Sequence, residues 1–228
     1  MNKQFLITGI GSGLGKYLYS SCEYSKEGLN RLNFEEIKNN KYDTIIHCAF
    51  NKTNNIENHY QYLNDNIFLT QKLLELDYSY FVYISSVDVY SQNETLYALF
   101  KKFAESIVMK KDNFLILRCP AMFGTYMKEN HLTKIVSGQY YKIGLSGESI
   151  FNYISFEQLA NFFWQYGHNN FVGVYDFVSN ENVKLNQLKE EFFSKIEFGD
   201  FVYSNPDKFP NPIYTGKTSL QNVKEYFK

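Results

Sequence analysis

Four glycines within seven residues, set directly after a short apolar run near the amino end, limit what this chain can fold into more than any other feature. Phe5-Leu6-Ile7-Thr8 has the continuous apolar character of a buried parallel strand. Gly9-Ile10-Gly11-Ser12-Gly13-Leu14-Gly15 follows without a gap, and Lys16-Tyr17-Leu18-Tyr19 continues as helix. Glycines let the backbone approach a diphosphate closely, and the first N–H groups of the helix then face its negative charge. Strand, glycine turn and helix in this order predict a dinucleotide site. With it comes an α/β fold, the doubly wound parallel sheet of Rossmann type.

The rest of the chain supplies further strands. Tyr42 to Phe50, Phe81 to Ile84, Phe114 to Arg118 and Gly173 to Val178 are apolar runs of the length a parallel sheet buries on both faces. Helical spacing of Leu63, Ile67, Thr70, Leu73 and Leu74 predicts a helix over 57–77 with Asn66 inside it, its amide within reach of the sheet. Residues 20–42 should hold the second and third strands, yet the segment is short and polar and only 28–32 read as a strand, so one strand is expected to be curtailed or lost, the second being taken as the curtailed one. No acidic residue stands where adenosine ribose hydroxyls would need one. Lys26 and Arg31 are then candidates for a ribose 2′-phosphate, which leans the cofactor toward NADP with NAD still open. Beyond Thr125 the expectation is a helix at 129–138, a strand at 141–143, a helix from Tyr153 to about 166, a helix at 183–195 and a last one at 218–227. This divides the chain into a dinucleotide-binding core, 1–124, and a mixed segment, 125–228, holding a small substrate-binding region and the remaining Rossmann elements.

Composition narrows the partners. With 228 residues and a formal net charge of −1, the protein has no basic field with which to hold nucleic acid. No apolar run approaches the roughly 20 residues of a membrane span. The three cysteines, Cys22, Cys48 and Cys119, are odd in number and far apart, as reduced thiols of a cytoplasmic protein are. His47 has no second His or Cys at ligand spacing, so it reads as a core histidine and no metal is expected.

Acid/base chemistry is suggested by Tyr97-x-x-x-Lys101, two groups four apart and therefore on one helix face, where an ammonium favours the phenolate. Ser86, at the end of the preceding strand, supplies a hydroxyl that can hold a substrate oxygen while Tyr97 moves the proton. Asp88 is the charged group next to Ser86 in sequence, suited either to substrate contact or to capping a turn.

These pieces occur in one order: the glycine turn, His47-Cys48-Ala49, Asn66-Ile67-Phe68-Leu69-Thr70, Ser85-Ser86-x-x-Val89-Tyr90, Tyr97-x-x-x-Lys101-x-x-x-Glu105 and Leu117-Arg118-x-Pro120-x-x-Phe123-Gly124. The series resembles the extended short-chain dehydrogenase/reductases, the nucleotide-sugar epimerases, dehydratases and 4-keto reductases. The resemblance implies that Ser86 holds the sugar oxygen, Tyr97 is the general acid/base, and Lys101 binds the nicotinamide ribose and lowers the tyrosine pKa. It also implies that Gly9, Gly11, Ser12, Gly13, Leu14 and Gly15 take the pyrophosphate. Cys48, Ala49 and Phe50 would line the adenosine side, and Pro120, Met122 and Phe123 would border the nicotinamide. Homodimers are implied through the helices at 57–77 and 97–111, where Leu99 and Phe103 could equally be core.

Departures from the pattern select among activities. No arginine follows Arg118, so the arginine clamp on a nucleotide diphosphate is missing, and Lys128, Lys134 or Lys142 would stand in as point charges. Val87 takes the place of the first acid of the dehydratases' Asp-Glu pair, and Asp88 that of the cysteine kept by enzymes that both epimerise and reduce. What remains is reduction of a keto-sugar or epimerisation at C4 by oxidation and re-reduction; the trimmed substrate region favours reduction, expected to be of a nucleotide-linked 4-keto sugar of surface polysaccharide biosynthesis. The alternatives are an NAD-dependent 4-epimerase and a non-catalytic dinucleotide-sensing protein of the same fold.

Overall fold

In the computed structural model the described residues are 3–30, 34–52, 59–91, 95–165 and 171–228. The amino-terminal half contributes β1 (Gln4–Thr8), α1 (Gly13–Ser21), β2 (Ser25–Leu29), α2 (Phe34–Ile37), β3 (Lys41–His47), α3 (His59–Leu63) and α4 (Leu69–Leu73). A π-helical turn, Asn64–Phe68, joins α3 to α4. Then come β4 (Asp77–Ser86), a 3-10 turn at Val87–Tyr90, α5 (Leu96–Val108), β5 (Phe114–Cys119) and β6 (Ala121–Phe123). Beyond these lie α6 (His131–Val136), β7 (Lys142–Leu145), β8 (Ile150–Phe151), β9 (Tyr153–Ser155), α7 (Phe156–Gln165) and β10 (Gly173–Val178). The chain ends with β11 (Val183–Lys184), α8 (Leu185–Glu191), β12 (Glu197–Phe201), β13 (Pro212–Tyr214) and α9 (Ser219–Phe227).

Seven strands form one parallel sheet in the order β13-β10-β5-β4-β3-β1-β2. The order reverses between β1 and β3, and that switch point opens a crevice at the carboxyl ends of the strands. Alternate residues face opposite layers. Phe5, Ile7, Val82, Ile84, Leu115 and Leu117 pack with α1 and α7, while Leu6, Ile45, Phe81, Tyr83 and Ile116 pack with Leu73 of α4 and Ala104 and Val108 of α5. A third core joins Phe123, Leu132, Ile135, Tyr153, Leu185 and Val223. Three two-stranded sheets, β6 with β9, β7 with β12 and β8 with β11, frame it.

Where this differs from the sequence reading, local pairing is the reason. A five-residue second strand does form, but over Ser25–Leu29 rather than 28–32, every residue in register with β1. The shortening of segment 20–42 falls instead on a third strand, which the described residues lack, so β2 is the sheet edge. Its polar sequence suits an edge: Glu27 accepts from Tyr42 Oη at 2.5 Å and from Asn40, and Lys26 donates to the Cys22 carbonyl at 2.6 Å. Tyr153-Ile154-Ser155 is strand, not the opening of a helix, because it pairs with β6 before α7 begins. Val183–Lys184 likewise pairs with β8 before α8 begins. The predicted helix at 57–77 is seen from His59 to Leu73, interrupted by the π turn; residues 53–58 lie outside the described residues.

Gly15 controls the entry into α1. A Cβ there would stand 2.5 Å from the carbonyl oxygens of Thr8 and Gly9, backbone atoms that cannot move aside. At Gly11 a Cβ meets nothing within 4 Å. Gly15→Ala is expected to cost about 2–4 kcal/mol and Gly11→Ala to stay within about 0.5 kcal/mol. Urea unfolding of the two variants beside the parent measures the difference.

Candidate active site

The crevice is built outward from Thr8, the last residue of β1. Its hydroxyl lies 2.8 Å from His47 Nδ1 and accepts from the backbone N–H groups of Cys48 and Ala49 at 3.1 and 2.9 Å. His47 Nε2 lies 3.0 Å from Thr70 Oγ1, which donates to the Asn66 carbonyl at 2.9 Å. Burial, followed by the charge of Lys101, pushes the His47 pKa down to about 3, so a neutral imidazole spans the two threonines. Asn66 reaches not the sheet itself but the loop leaving it. Its amide accepts from Asn51 N at 2.7 Å and donates to Asn51 O at 3.0 Å, which fixes the stretch 48–51 beside the glycine turn.

Between these two loops lies a cavity of about 590 Å³, lined by Gly9, Gly11, Ser12, Cys48, Ala49 and Phe50 among the predicted residues. Gly9, at φ +75°, has no room for a Cβ, which would stand 3.0 Å from Ala49 N. The Gly13 N–H donates to the Tyr126 carbonyl at 2.8 Å, tying the turn to the loop after β6. Leu14 and Gly15 are buried in the first turn of α1. Tight glycines at a strand end, open space over Gly11 and a helix start beyond them fit a dinucleotide diphosphate. Lys26 is not brought to this cavity: it sits opposite Phe5 in the amino half of β2, with its ammonium on the Cys22 carbonyl. Arg31 lies outside the described residues.

On the other side of β3 the predicted trio converges. Ser86 ends β4, and its hydroxyl accepts from Asp88 N at 3.2 Å. Thr95 caps α5 by accepting from Ala98 N at 3.1 Å, which aims Tyr97 and Lys101 back over the strand end. Tyr97 stands edge-on to Phe50, ring centroids 5.0 Å apart. Burial raises its pKa, partly offset by a hydrogen bond with Ser86, so the resting group is the neutral phenol. Lys101 Nζ donates to the Ile84 carbonyl at 2.7 Å and lies 5.9 Å from the Tyr97 ring centroid, 4.3 Å from that of Phe50 and 4.7 Å from that of Tyr83. Its pKa falls to about 7, burial being the main cause and Lys52 the next. Lys52 Nζ itself lies 5.0 Å from the Tyr97 ring centroid.

A buried network holds this corner from below. Glu105 accepts from Ser85 Oγ at 2.5 Å and from Arg118 through Nε at 3.0 Å and Nη2 at 2.7 Å. Arg118 Nη1 donates to Tyr90 Oη at 2.6 Å, and Tyr90 donates to Asp176 at 2.7 Å. The fork geometry locks Ser85, and so its neighbour Ser86, in place. Asp88 accepts a hydrogen bond from the Tyr203 hydroxyl, which also receives Asn205 Nδ2 at 2.9 Å. No sequence signal pointed to Tyr203, which lies 115 residues from Asp88. Pro120 is buried and Met122 packs on the α1/α7 layer. Phe123 is fully buried against Tyr226 and Phe227, a core residue turned from the crevice. Lys142 is exposed on β7 opposite Glu197. Among the described residues no group of three or more His, Cys, Asp or Glu is placed to hold a metal, and no helix is long and apolar enough to cross a membrane.

The same parallel sheet is found in solved nucleotide-sugar reductases, dehydratases and epimerases. Similar solved structures include dTDP-4-dehydrorhamnose reductase from Bacillus anthracis in complex with NADP, with TM-score 0.77 and 14% identity over 100% of this chain and 99% of that one. The ADP-L-glycero-D-manno-heptose-6-epimerase of Helicobacter pylori gives 0.76 and 16% over 99% and 95% of the two chains. The dTDP-glucose 4,6-dehydratase of B. anthracis in complex with NAD gives 0.73 and 15% over 99% and 96%. No protein-family model and no curated protein sequence matches. At these identities the likeness is one of fold.

Lys101 generates a prediction about stability. Its folded pKa of about 7 lies below the ordinary 10.5, so between these values the unfolded chain holds a proton that the folded chain does not. Wild-type stability should therefore climb with pH across this window by up to about 1.4 kcal/mol per unit relative to Lys101→Met, which has nothing to titrate. Denaturant unfolding of both proteins at about pH 7 and about pH 9 is the measurement.

Proposed function

We propose that this protein is an NADPH-dependent reductase of a keto-sugar, with a nucleotide-linked 4-keto sugar as its substrate. The observation that carries the reading is the convergence of Ser86, Tyr97 and Lys101 at the carboxyl end of β4, against Phe50, which itself lines the cavity over the glycine turn although none of the three does. A reduced nicotinamide bound there supplies hydride to the carbonyl carbon. The chain's own residues manage the oxygen. Ser86 and Tyr97 donate hydrogen bonds to it, and Tyr97 passes its phenolic proton to the alkoxide as charge develops. Lys101, held by the Ile84 carbonyl, then offsets the phenolate charge, and the aromatic walls of Phe50 and Tyr83 keep water from its ammonium.

Val87, 2% exposed at the first dehydratase position, supports reduction over elimination. Asp88, engaged by Tyr203, supports a positioning role for that carboxylate. The segment 125–228 forms the substrate side in this reading, and Lys142 is one of its candidate cations. The exposed Leu96, Leu99 and Phe103 of α5 support a homodimer through that helix. The free thiols of Cys22, Cys48 and Cys119 suit a cytoplasmic protein.

Incubation with NADPH and a panel of 4-keto nucleotide sugars should consume nicotinamide absorbance in one-to-one proportion to alcohol formed. Tyr97→Phe should lower kcat by about 10²–10⁴-fold with dinucleotide affinity within about threefold of the parent. Conversion of a nucleotide sugar to its epimer without net loss of absorbance would identify the epimerase instead. No turnover with any member of the panel, despite tight dinucleotide binding, would leave the sensing role.

A further inference from the structure

The far end of the cavity, away from Tyr97, is shaped by the edge of the sheet, beyond which the described residues hold no further strand. With β2 at the sheet edge, the wall there comes from the end of β2, α2 and α4: Leu29, Phe34 and Leu69 supply an apolar surface, Asn30 follows the end of β2, and Lys72 stands at the rim. Among the described residues lining the cavity only Asp65 and Lys72 carry charge. The Asp65 carboxylate accepts from Asn51 Nδ2 at 2.9 Å and from Gln61 Nε2 at 2.5 Å. Glu35, the acidic neighbour on α2, is ion-paired with Lys38. The Lys72 ammonium lies 5.7 Å from the centroid of the Phe34 ring.

Two features of this end point to the same ligand. Where a carboxylate after β2 would accept ribose hydroxyls and repel a phosphate on them, Asn30 is neutral. A cation then stands on the facing helix, at the rim of the same cavity. We infer that Lys72 selects the adenosine 2′-phosphate, reaching it from α4 rather than from the loop after β2, with Leu29, Phe34 and Leu69 against the purine. The inference rests on the dinucleotide reading above and adds to it the residue that distinguishes the two dinucleotides. An ammonium acts here as a point charge at an exposed rim, so the discrimination is modest and sensitive to salt.

The test is a binding titration and needs no turnover. NADPH and NADH are titrated by fluorescence into wild type, Lys72→Gln and Arg31→Gln, with 2′,5′-ADP and 5′-AMP as competitors that isolate the adenosine end. Wild type should favour NADPH and 2′,5′-ADP by about tenfold at low salt, a margin that shrinks as salt is raised. Lys72→Gln should remove most of that margin while leaving NADH and 5′-AMP within about twofold. Equal weakening of both dinucleotides, no change, a wild-type preference for NADH, or loss of the margin in Arg31→Gln alone would each overturn the assignment. Failure of wild type to bind either dinucleotide would instead overturn the functional reading on which it rests.

Discussion

Lys101 carries its ammonium at 3% exposure, and a buried charge of this kind is tolerated only where the surroundings replace its water. Here the replacement is a backbone carbonyl at the end of the central strand and two aromatic faces. None of these partners neutralises the charge, which is why the pKa falls and why the group is poised near neutrality. Each partner depends on another element being in place. Ile84 needs β4 in register with β3 and β5, Phe50 needs the loop that Asn66 holds, and Lys101 itself needs α5 aimed by its cap and by the Glu105 to Arg118 fork.

The same dependence explains the split character of the crevice. Toward β4 it is dense and hydrogen-bonded, with Thr8, His47, Thr70 and Asn66 forming one run from the edge of β1 to the outer helix. Toward β2 it is open, because the sheet stops there and short helices make the wall. A parallel sheet that loses an edge strand keeps its switch point, since the reversal of order lies between β1 and β3 and not at the margin. Trimming at the edge therefore changes what surrounds one end of a ligand without disturbing the geometry at the other.

Much of this was readable from residues alone because the signals are local. The glycine turn, the continuous apolar strands and the four-residue spacing of Tyr97 and Lys101 each specify backbone or face over a few positions. The strand at Ser25–Leu29 lies three residues before the expected 28–32 because an edge strand is polar and carries no apolar run to mark it. Tyr153-Ile154-Ser155 departs from the expected helix for a related reason: three residues are too few to show a period, and only the pairing with β6 makes them strand.

The amino-acid sequence by itself determined the sheet type, the position of the diphosphate turn and the face shared by Tyr97 and Lys101, all consequences of short-range stereochemistry. Only the tertiary structure decided which groups meet across distance: Tyr203 on Asp88, Asn66 on the loop after β3, Phe123 in the carboxyl-terminal core and Lys72 at the cavity rim. These pairings join residues 15 to 115 positions apart, or a helix to a cavity, and no local propensity encodes them. They follow from which surfaces must be buried once the sheet has formed.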